Sequence, residues 1–317
     1  MKAINNLVVL DKTAFYPTSG GQLHDIGTLG ANNVIEAFKT GNEVIVHRLS
    51  EKPKFKAGEI VKGRIDFERR KQLMQHHTSA HLVNAVAKMV LGRHVWQAGA
   101  AKTPEKGRLD ITHYELLSEK QLKAIEKKAN ELIEKALLVT KEILPREEAE
   151  EKYGMEIYQG GFIPGRMLRI VSINGIDHEA CGGTHANSTK ELEKIKIINS
   201  TKVQDGIIRI NYVSGKAAEK TIEEKIGALE ESARLLGVSE EQVPERAKEV
   251  FELWKKARKA KEKIKLGLKP VPLAEKRKLA KEELLLETAR ILSTQPEHVP
   301  KTIARFLREI KEFRKKS

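Results

Sequence analysis

The 317-residue sequence holds a single cysteine, Cys181, and only 5% aromatic residues. A lone thiol cannot staple the chain to itself, which excludes a disulfide scaffold and suits a reducing compartment, so the expected location is the cytoplasm. Long apolar runs are missing as well. Each is broken by Lys, Arg or Asn, as in "NAVAKMVLG", so no segment is expected to span a bilayer and no membrane partner is expected. Nothing at the start resembles a signal peptide. Acidic residues are in deficit, 44 Asp and Glu against 58 Lys and Arg, which gives a formal charge of +14 and a pI near 9.6. A basic surface attracts polyanions without naming one.

The sequence has enough apolar residues, 40%, for two or three buried cores. Residues 1–64 alternate short β-type runs ("NNLVVLD", "NEVIVHRL", "EIVKGRID") with turn residues, the pattern of a small β domain, barrel-like or a meander. From Asp66, a suitable N-cap, "FERRKQLMQHHTSAHLVNAVAKMVLG" reads as an amphipathic helix stopped by Gly92. A strand in "GRLDITHYEL" follows. Then comes a helix opened by a Ser118/Gln121 capping box. A short helix after Pro145, the strand "RMLRIVSI", the loop "DHEACGGTHANST" and the strands "KIKIINS" and "IIRINYVSG" complete residues 65–213. Strands and helices without regular alternation make this an α+β fold.

Residues 214–317 read as an all-α domain with a two-fold internal repeat. "ARLLGVSEEQVPERAKEVFELWKKARK" aligns without gaps to "ARILSTQPEHVPKTIARFLREIKEFRK" 56 residues later. Each copy reads as helix, turn and a second helix with proline near its start. Between 255 and 281 there are twelve Lys or Arg against two Glu. That stretch is either a solvated face or a contact with nucleic-acid phosphate, with Lys255, Lys256, Lys259 and Lys261 as the candidate residues.

Three histidines in "HHTSAH" have no packing purpose in an amphipathic helix. His77 and His81, four apart, share one helix face and can aim at one point, as zinc ligands do. A metalloprotease would carry Glu directly after the first His; Thr78 stands there instead. With ten histidines in the chain such a pair arises easily by chance, so it is a weak signal alone. Cys181 and His185, in "CGGTH", supply a second and far more specific half-site. Gly182 and Gly183 let that loop bend until the two converge. One zinc ion held by His77, His81, Cys181 and His185 is the expected cofactor. His76 points about 100° away and is read as a bystander, the alternative being a residue that orients a ligand or contacts substrate.

"HHTSAHLV", "HVWQAGA", "GRLDITH" and "EACGGTH", in this order and spacing, resemble the editing domain of alanyl-tRNA synthetases, archaeal type, and of the related free-standing AlaX editing proteins. "AFYPTSGGQLHDIG" resembles the Gly-rich stretch before that domain. The similarity covers roughly residues 7–215. It implies an aminoacyl-tRNA deacylase acting on tRNA(Ala) mischarged with serine or glycine, with the four zinc ligands named above. Binding alone rejects a missing methyl by only about 1–3 kcal/mol, which is why a hydrolytic sieve is needed. The resemblance places Gln97 beside the aminoacyl pocket and makes Arg108, Asp110 and His113 further catalytic candidates. Against this, Gln97 could be a strand-end amide, and Asp110 with His113 a surface pair. Thr78, Gly20, Gly21 and Gln22 are candidates for substrate contact, the last three in a turn reaching the pocket.

No segment resembles an ATP-dependent aminoacylation site, so the chain is not expected to charge tRNA. The resemblance favours the editing part of a synthetase, in which case the parent would be a candidate homodimer. The alternatives are a complete long AlaX protein, a structural zinc protein that binds nucleic acid without chemistry, and the editing domain of threonyl-tRNA synthetase, which uses comparable half-sites.

Overall fold

Short β-branched runs at the N-terminus precede the first helix and pair with one another. In the computed structural model, which describes residues 2–41, 43–161, 165–259 and 279–316, six strands come first: β1 (Lys2–Ile4), β2 (Leu7–Val9), β3 (Gly27–Leu29), β4 (Asn32–Lys39), β5 (Ile45–Leu49) and β6 (Gly63–Ile65). They form one antiparallel sheet in the order β1-β2-β5-β4-β3-β6 around Val8, Phe15, Leu29, Val34, Ala37 and Leu49. Among the described residues β1 and β6 have one partner each, so no pairing closes the sheet into a barrel.

Helix α1 (Phe67–Leu91) follows. Asp66 caps it by accepting from the Arg69 N–H, an interaction worth about 1 kcal/mol, and Gly92 ends it at φ +119°. Then come β7 (Gln97–Lys102), β8 (Gly107–Thr112), α2 (Glu119–Glu134), β9 (Val139–Pro145), α3 (Arg146–Tyr153), β10 (Met167–Ile173), β11 (Asp177–Ala180), β12 (Ile195–Gln204) and β13 (Ile207–Ser214). The expected Ser118/Gln121 capping box opens α2. Two antiparallel sheets result, ordered β12-β13-β8-β7 and β11-β10-β9. Part of the expected "DHEACGGTHANST" loop is therefore strand β11.

Side-chain alternation decides what each sheet covers. Leu109 and Ile111 of β8, with Ile208, Ile210 and Tyr212 of β13, share a core with Ala80, Val83 and Val86 of α1 and Ile125, Ala129 and Leu132 of α2. On β10, Val171 and Ile173 join that core, while Leu168 and Ile170 face a smaller cluster with Ala149 of α3. The middle of α1 is consequently buried on every side, from Gln75 to Ala87. It is not the amphipathic helix that the sequence suggests.

The remaining helices are α4 (Lys216–Leu236), α5 (Val243–Lys259), α6 (Lys281–Ile291) and α7 (Val299–Lys316). The chain divides into two units between residues 219 and 220. In the second, the buried residues repeat with the 56-residue offset: Leu229, Ala233, Leu236, Val243 and Val250 match Leu285, Ala289, Leu292, Val299 and Phe306. The backbone repeats too, since Gly237 and Ser293 take φ of +65° and +51° at matching positions after α4 and α6. No described helix is long and apolar enough to cross a membrane.

Candidate metal centre

A helix buried all round has no use for polar side chains unless each finds a partner. Helix α1 buries Gln75, His76, His77, Thr78, Ser79, His81 and Asn84. His76 has partners outside the cluster: its Nδ1 donates to the Thr103 carbonyl (2.7 Å) and its Nε2 accepts from Gln72 Nε2 (3.2 Å).

His77 and His81 meet Cys181, directly after β11, and His185 four residues on. The four ligand atoms lie within 4.8 Å of one another. Cys181 Sγ is 3.4 Å from Nε2 of both His77 and His185. Metal–nitrogen bonds of about 2.0–2.1 Å and metal–sulfur bonds of about 2.3 Å give a tetrahedral N···S edge of about 3.5 Å, so the spacing fits one ion. Hydrogen bonds orient the rings. His77 Nδ1 donates to Gln22 Oε1 (2.7 Å), and His185 Nδ1 donates to Thr78 Oγ1 (3.1 Å), which leaves both Nε2 lone pairs toward the thiol. Burial is the main cause holding the pKa values of His77 and His185 well below the ordinary imidazole range, so the rings are neutral and able to ligate. Burial pushes the Cys181 thiol up, so a bound ion would displace its proton. Three imidazoles and a thiolate suit a borderline-soft ion such as zinc.

His81 sits between two buried carboxylates. Its Nε2 is 3.2 Å from Glu179 Oε2 and its Nδ1 is 3.6 Å from Asp177 Oδ2. Burial and then the Glu179 charge push Asp177 well above the ordinary carboxylate range. Asn84 Nδ2 donates to Glu179 Oε1 (3.2 Å) and to Gln159 Oε1 (3.1 Å), and Gln159 Oε1 also accepts from the Gln97 N–H (3.1 Å). Gln97 is thus connected to the cluster through three side chains. A cavity of about 400 Å³ lined by Ala85, Lys88, Trp96 and Asp177, among others, shares the Asp177 wall with His81.

The Gly-rich turn reaches this site. Gly21, at φ +73°, packs so tightly on Ala100 of β7 that any Cβ would overlap its carbonyl. Gln22 is carried to His77 and also meets Thr184, accepting from its N–H (3.1 Å) and donating through Nε2 to its Oγ1 (2.8 Å). One amide therefore ties the first half-site to the second. Gln22→Leu is expected to lower Zn²⁺ affinity about 10–100-fold, as loss of an orienting partner does, measured by competition with a chromophoric chelator. Unchanged affinity would show that Gln22 does not orient His77.

Thr78 is fully buried behind His185 and also accepts from the Ala186 N–H (3.0 Å). Arg108, Asp110 and His113 are not brought to the cluster by any hydrogen bond or ion pair among the described residues. Asp110 pairs with Arg209 across β8 and β13 (2.7 and 3.0 Å), Arg108 lies 3.7 Å from Asp110, and His113 Nδ1 meets His94 Nε2 (2.8 Å). Lys255 pairs with Glu252 and covers the Phe251 ring at 4.5 Å. Lys256 lies on α5 and Lys259 is the last residue of that helix. Lys261 and residues 260–278 of the basic stretch lie outside the described residues.

Lys102, Arg169, Glu179, Asp177 and Asn84 were not singled out by sequence. Two had a legible signal: Asp177 and Glu179 alternate along β11, in step with Cys181 directly after it. Arg169 Nη1 donates to the carbonyls of Cys181 (2.6 Å) and Gly183 (3.0 Å), fixing the ligand loop from behind.

Residues 168–211, which include Cys181 and His185, match the family described as "Threonyl and Alanyl tRNA synthetase second additional domain". Residues 1–69, which include Gln22, match "tRNA synthetases class II (A)". The alanine–tRNA ligase of Methanococcus maripaludis (strain C7) is 44% identical over 264 residues, 83% of this chain and 30% of the relative. The chain is homologous to the alanine–tRNA ligases. Relatives of that name in Pyrococcus abyssi (44% over 272 residues, 84% of this chain and 30% of the relative) and Methanococcus vannielii (43% over 291 residues, 90% and 32%) agree. The resemblance drawn from the motifs is thereby borne out. The chain spans about a third of the length of these relatives.

Proposed function

We propose that this chain hydrolyses the ester of tRNA(Ala) mischarged with serine or glycine, as the editing part of an alanyl-tRNA synthetase. The observation that carries the reading is the meeting of His77, His81, Cys181 and His185 around one point in a chain homologous to alanine–tRNA ligases.

A zinc ion held by these four residues would supply a fixed positive charge able to polarise or orient the substrate. The chain's own groups do the rest. Gln22 and Thr78 fix the imidazoles, and Arg169 fixes the loop. Glu179, anchored by Asn84, is a buried acceptor next to His81 that can hold a water molecule or the substrate's amino group. Gln97, whose N–H bonds Gln159 and whose side-chain amide lies against Gly160, is proposed to position the aminoacyl end.

The test is deacylation of Ser-tRNA(Ala), Gly-tRNA(Ala) and Ala-tRNA(Ala) by the purified chain, with and without chelator. The serine and glycine esters are expected to be cleaved faster than the alanine ester, and the chelator to abolish the difference. Equal rates on all three, or none on any, would refute the reading.

A further inference from the structure

Leu109 and Ile111 of β8 point into the core shared with α1 and α2, so strand alternation turns Arg108 and Asp110 to the opposite face of the β12-β13-β8-β7 sheet. Register extends that face across all four strands. In line with Arg108 lie Asn211 of β13 and Asn199 of β12, and in line with Asp110 lie Arg209 of β13 and Thr201 of β12. On the other side β7 adds only Ala101 and Gly99, neither of which reaches over its neighbour.

Every side-chain hydrogen bond or ion pair of these residues, among the described residues, stays within the two rows. Arg209 grips Asp110 through a fork, Nε to Oδ1 (2.7 Å) and Nη2 to Oδ2 (3.0 Å), and Asn211 Nδ2 donates to Asn199 Oδ1 (2.7 Å). Arg108 is left over. Its Nε stands 3.7 Å from Asp110 Oδ2, beyond hydrogen-bond reach, and is buried without a partner. One carboxylate thus gathers two guanidiniums and satisfies one of them. The Arg108 side chain is 37% exposed and that of Arg209 28%, so both reach solvent from this face. Two adjacent planar donors with a net positive charge suit a phosphodiester, and asparagine and threonine beside them are groups that bond RNA phosphate and sugar. The chain's formal charge of +14 favours the same polyanion.

We propose that this sheet face holds the sugar–phosphate backbone of the tRNA, with Arg108 and Arg209 on phosphate and Asp110 positioning both; this rests on the reading of tRNA as the substrate given above. Arg108 then acts on binding and leaves the hydrolytic step alone.

The test titrates uncharged tRNA(Ala) onto the full chain between about 50 and 200 mM salt. It also follows seryl-tRNA(Ala) hydrolysis and the thermal midpoint, for wild type, Arg108→Gln and Thr201→Glu. Arg108→Gln leaves Asp110 paired with Arg209, so no buried charge is orphaned. Thr201→Glu sets a carboxylate directly across from Arg209 at an exposed position, where it competes with phosphate, and it serves if the first variant does not fold. Each is expected to raise Kd about 5–10-fold at about 0.1 M salt and to flatten the slope of log Kd against log salt by about one, the loss of one phosphate contact. In hydrolysis KM should rise by the same factor while kcat stays within about twofold and the midpoint near wild type. Unchanged Kd and slope in both variants would overturn the proposal and leave Arg108, Asp110 and Arg209 as an ion-pair network of the sheet. So would a lowered kcat at unchanged KM, or weaker binding seen only with a lowered midpoint. A wild type that binds tRNA with these variant effects yet cleaves no ester would refute the hydrolytic reading and support this surface.

Discussion

Cys181→Ala is expected to abolish zinc binding and deacylation together while the fold survives. The substitution keeps Cβ and every backbone contact of the residue, including the bond from its N–H to the Arg169 carbonyl (2.9 Å) and the one its own carbonyl accepts from Arg169 (2.6 Å). What disappears is the sulfur 3.4 Å from both His77 and His185. Removing a partner that merely orients a ligand costs about 10–100-fold in metal affinity or activity, so losing a ligand itself should exceed about 100-fold. Because burial raises the thiol pKa, wild type should release a proton as it binds zinc near neutral pH, and the variant should not. Metal analysis, calorimetry in buffers of different ionisation enthalpy, and circular dichroism check the three parts. A variant with full zinc content would show that the thiolate is not a ligand.

The candidate ligand cluster was legible because each half-site is written in local spacing. His77 and His81 obey the helical repeat, and "CGGTH" closes over a loop of five residues, so neither needs knowledge of what packs beside it. The environment of α1 was not legible in the same way. Fourteen residues from Leu73 to Ala87 are buried, yet seven of them are polar. Their burial follows from a sheet, a second helix and a Gly-rich turn arriving from elsewhere in the chain. Lys102 shows the limit most plainly. In "AAKTPEK" it reads as a solvated strand end, and only the turn at Gly20–Gln22, some 80 residues earlier, encloses it. Strand β11 was hidden for a different reason: four residues rich in Asp, His and Glu have little β-propensity, and they pair because β10 offers an edge. The helical repeat was the easiest part, since an offset of 56 residues preserves the buried positions even where Gly237 is replaced by Ser293.

The two glycines of the ligand loop should respond very differently to substitution. Both were read from the sequence as freeing the loop to bend, but only one is required by space. A Cβ on Gly182 would meet nothing within 4 Å, and its φ lies outside the left-handed region. A Cβ on Gly183 would overlap the His77 imidazole at Cε1, Nδ1 and Nε2. Neither side can yield easily. Gln22 fixes the ring through Nδ1, and Arg169 holds the Gly183 carbonyl (3.0 Å) from the opposite side. Gly183→Ala must therefore either turn His77 off its axis or lift the loop, and each outcome separates Cys181 or His185 from the α1 pair. Zinc affinity and deacylation are expected to fall more than about 100-fold, as for loss of a ligand. Gly182→Ala, an exposed-side change with no steric conflict, should stay within about twofold of wild type. The comparison isolates geometry from chemistry, because neither variant alters a donor atom. Equal behaviour of the two variants, whether both tolerated or both inactive, would show that the loop does not owe its function to the close approach of Gly183 to His77.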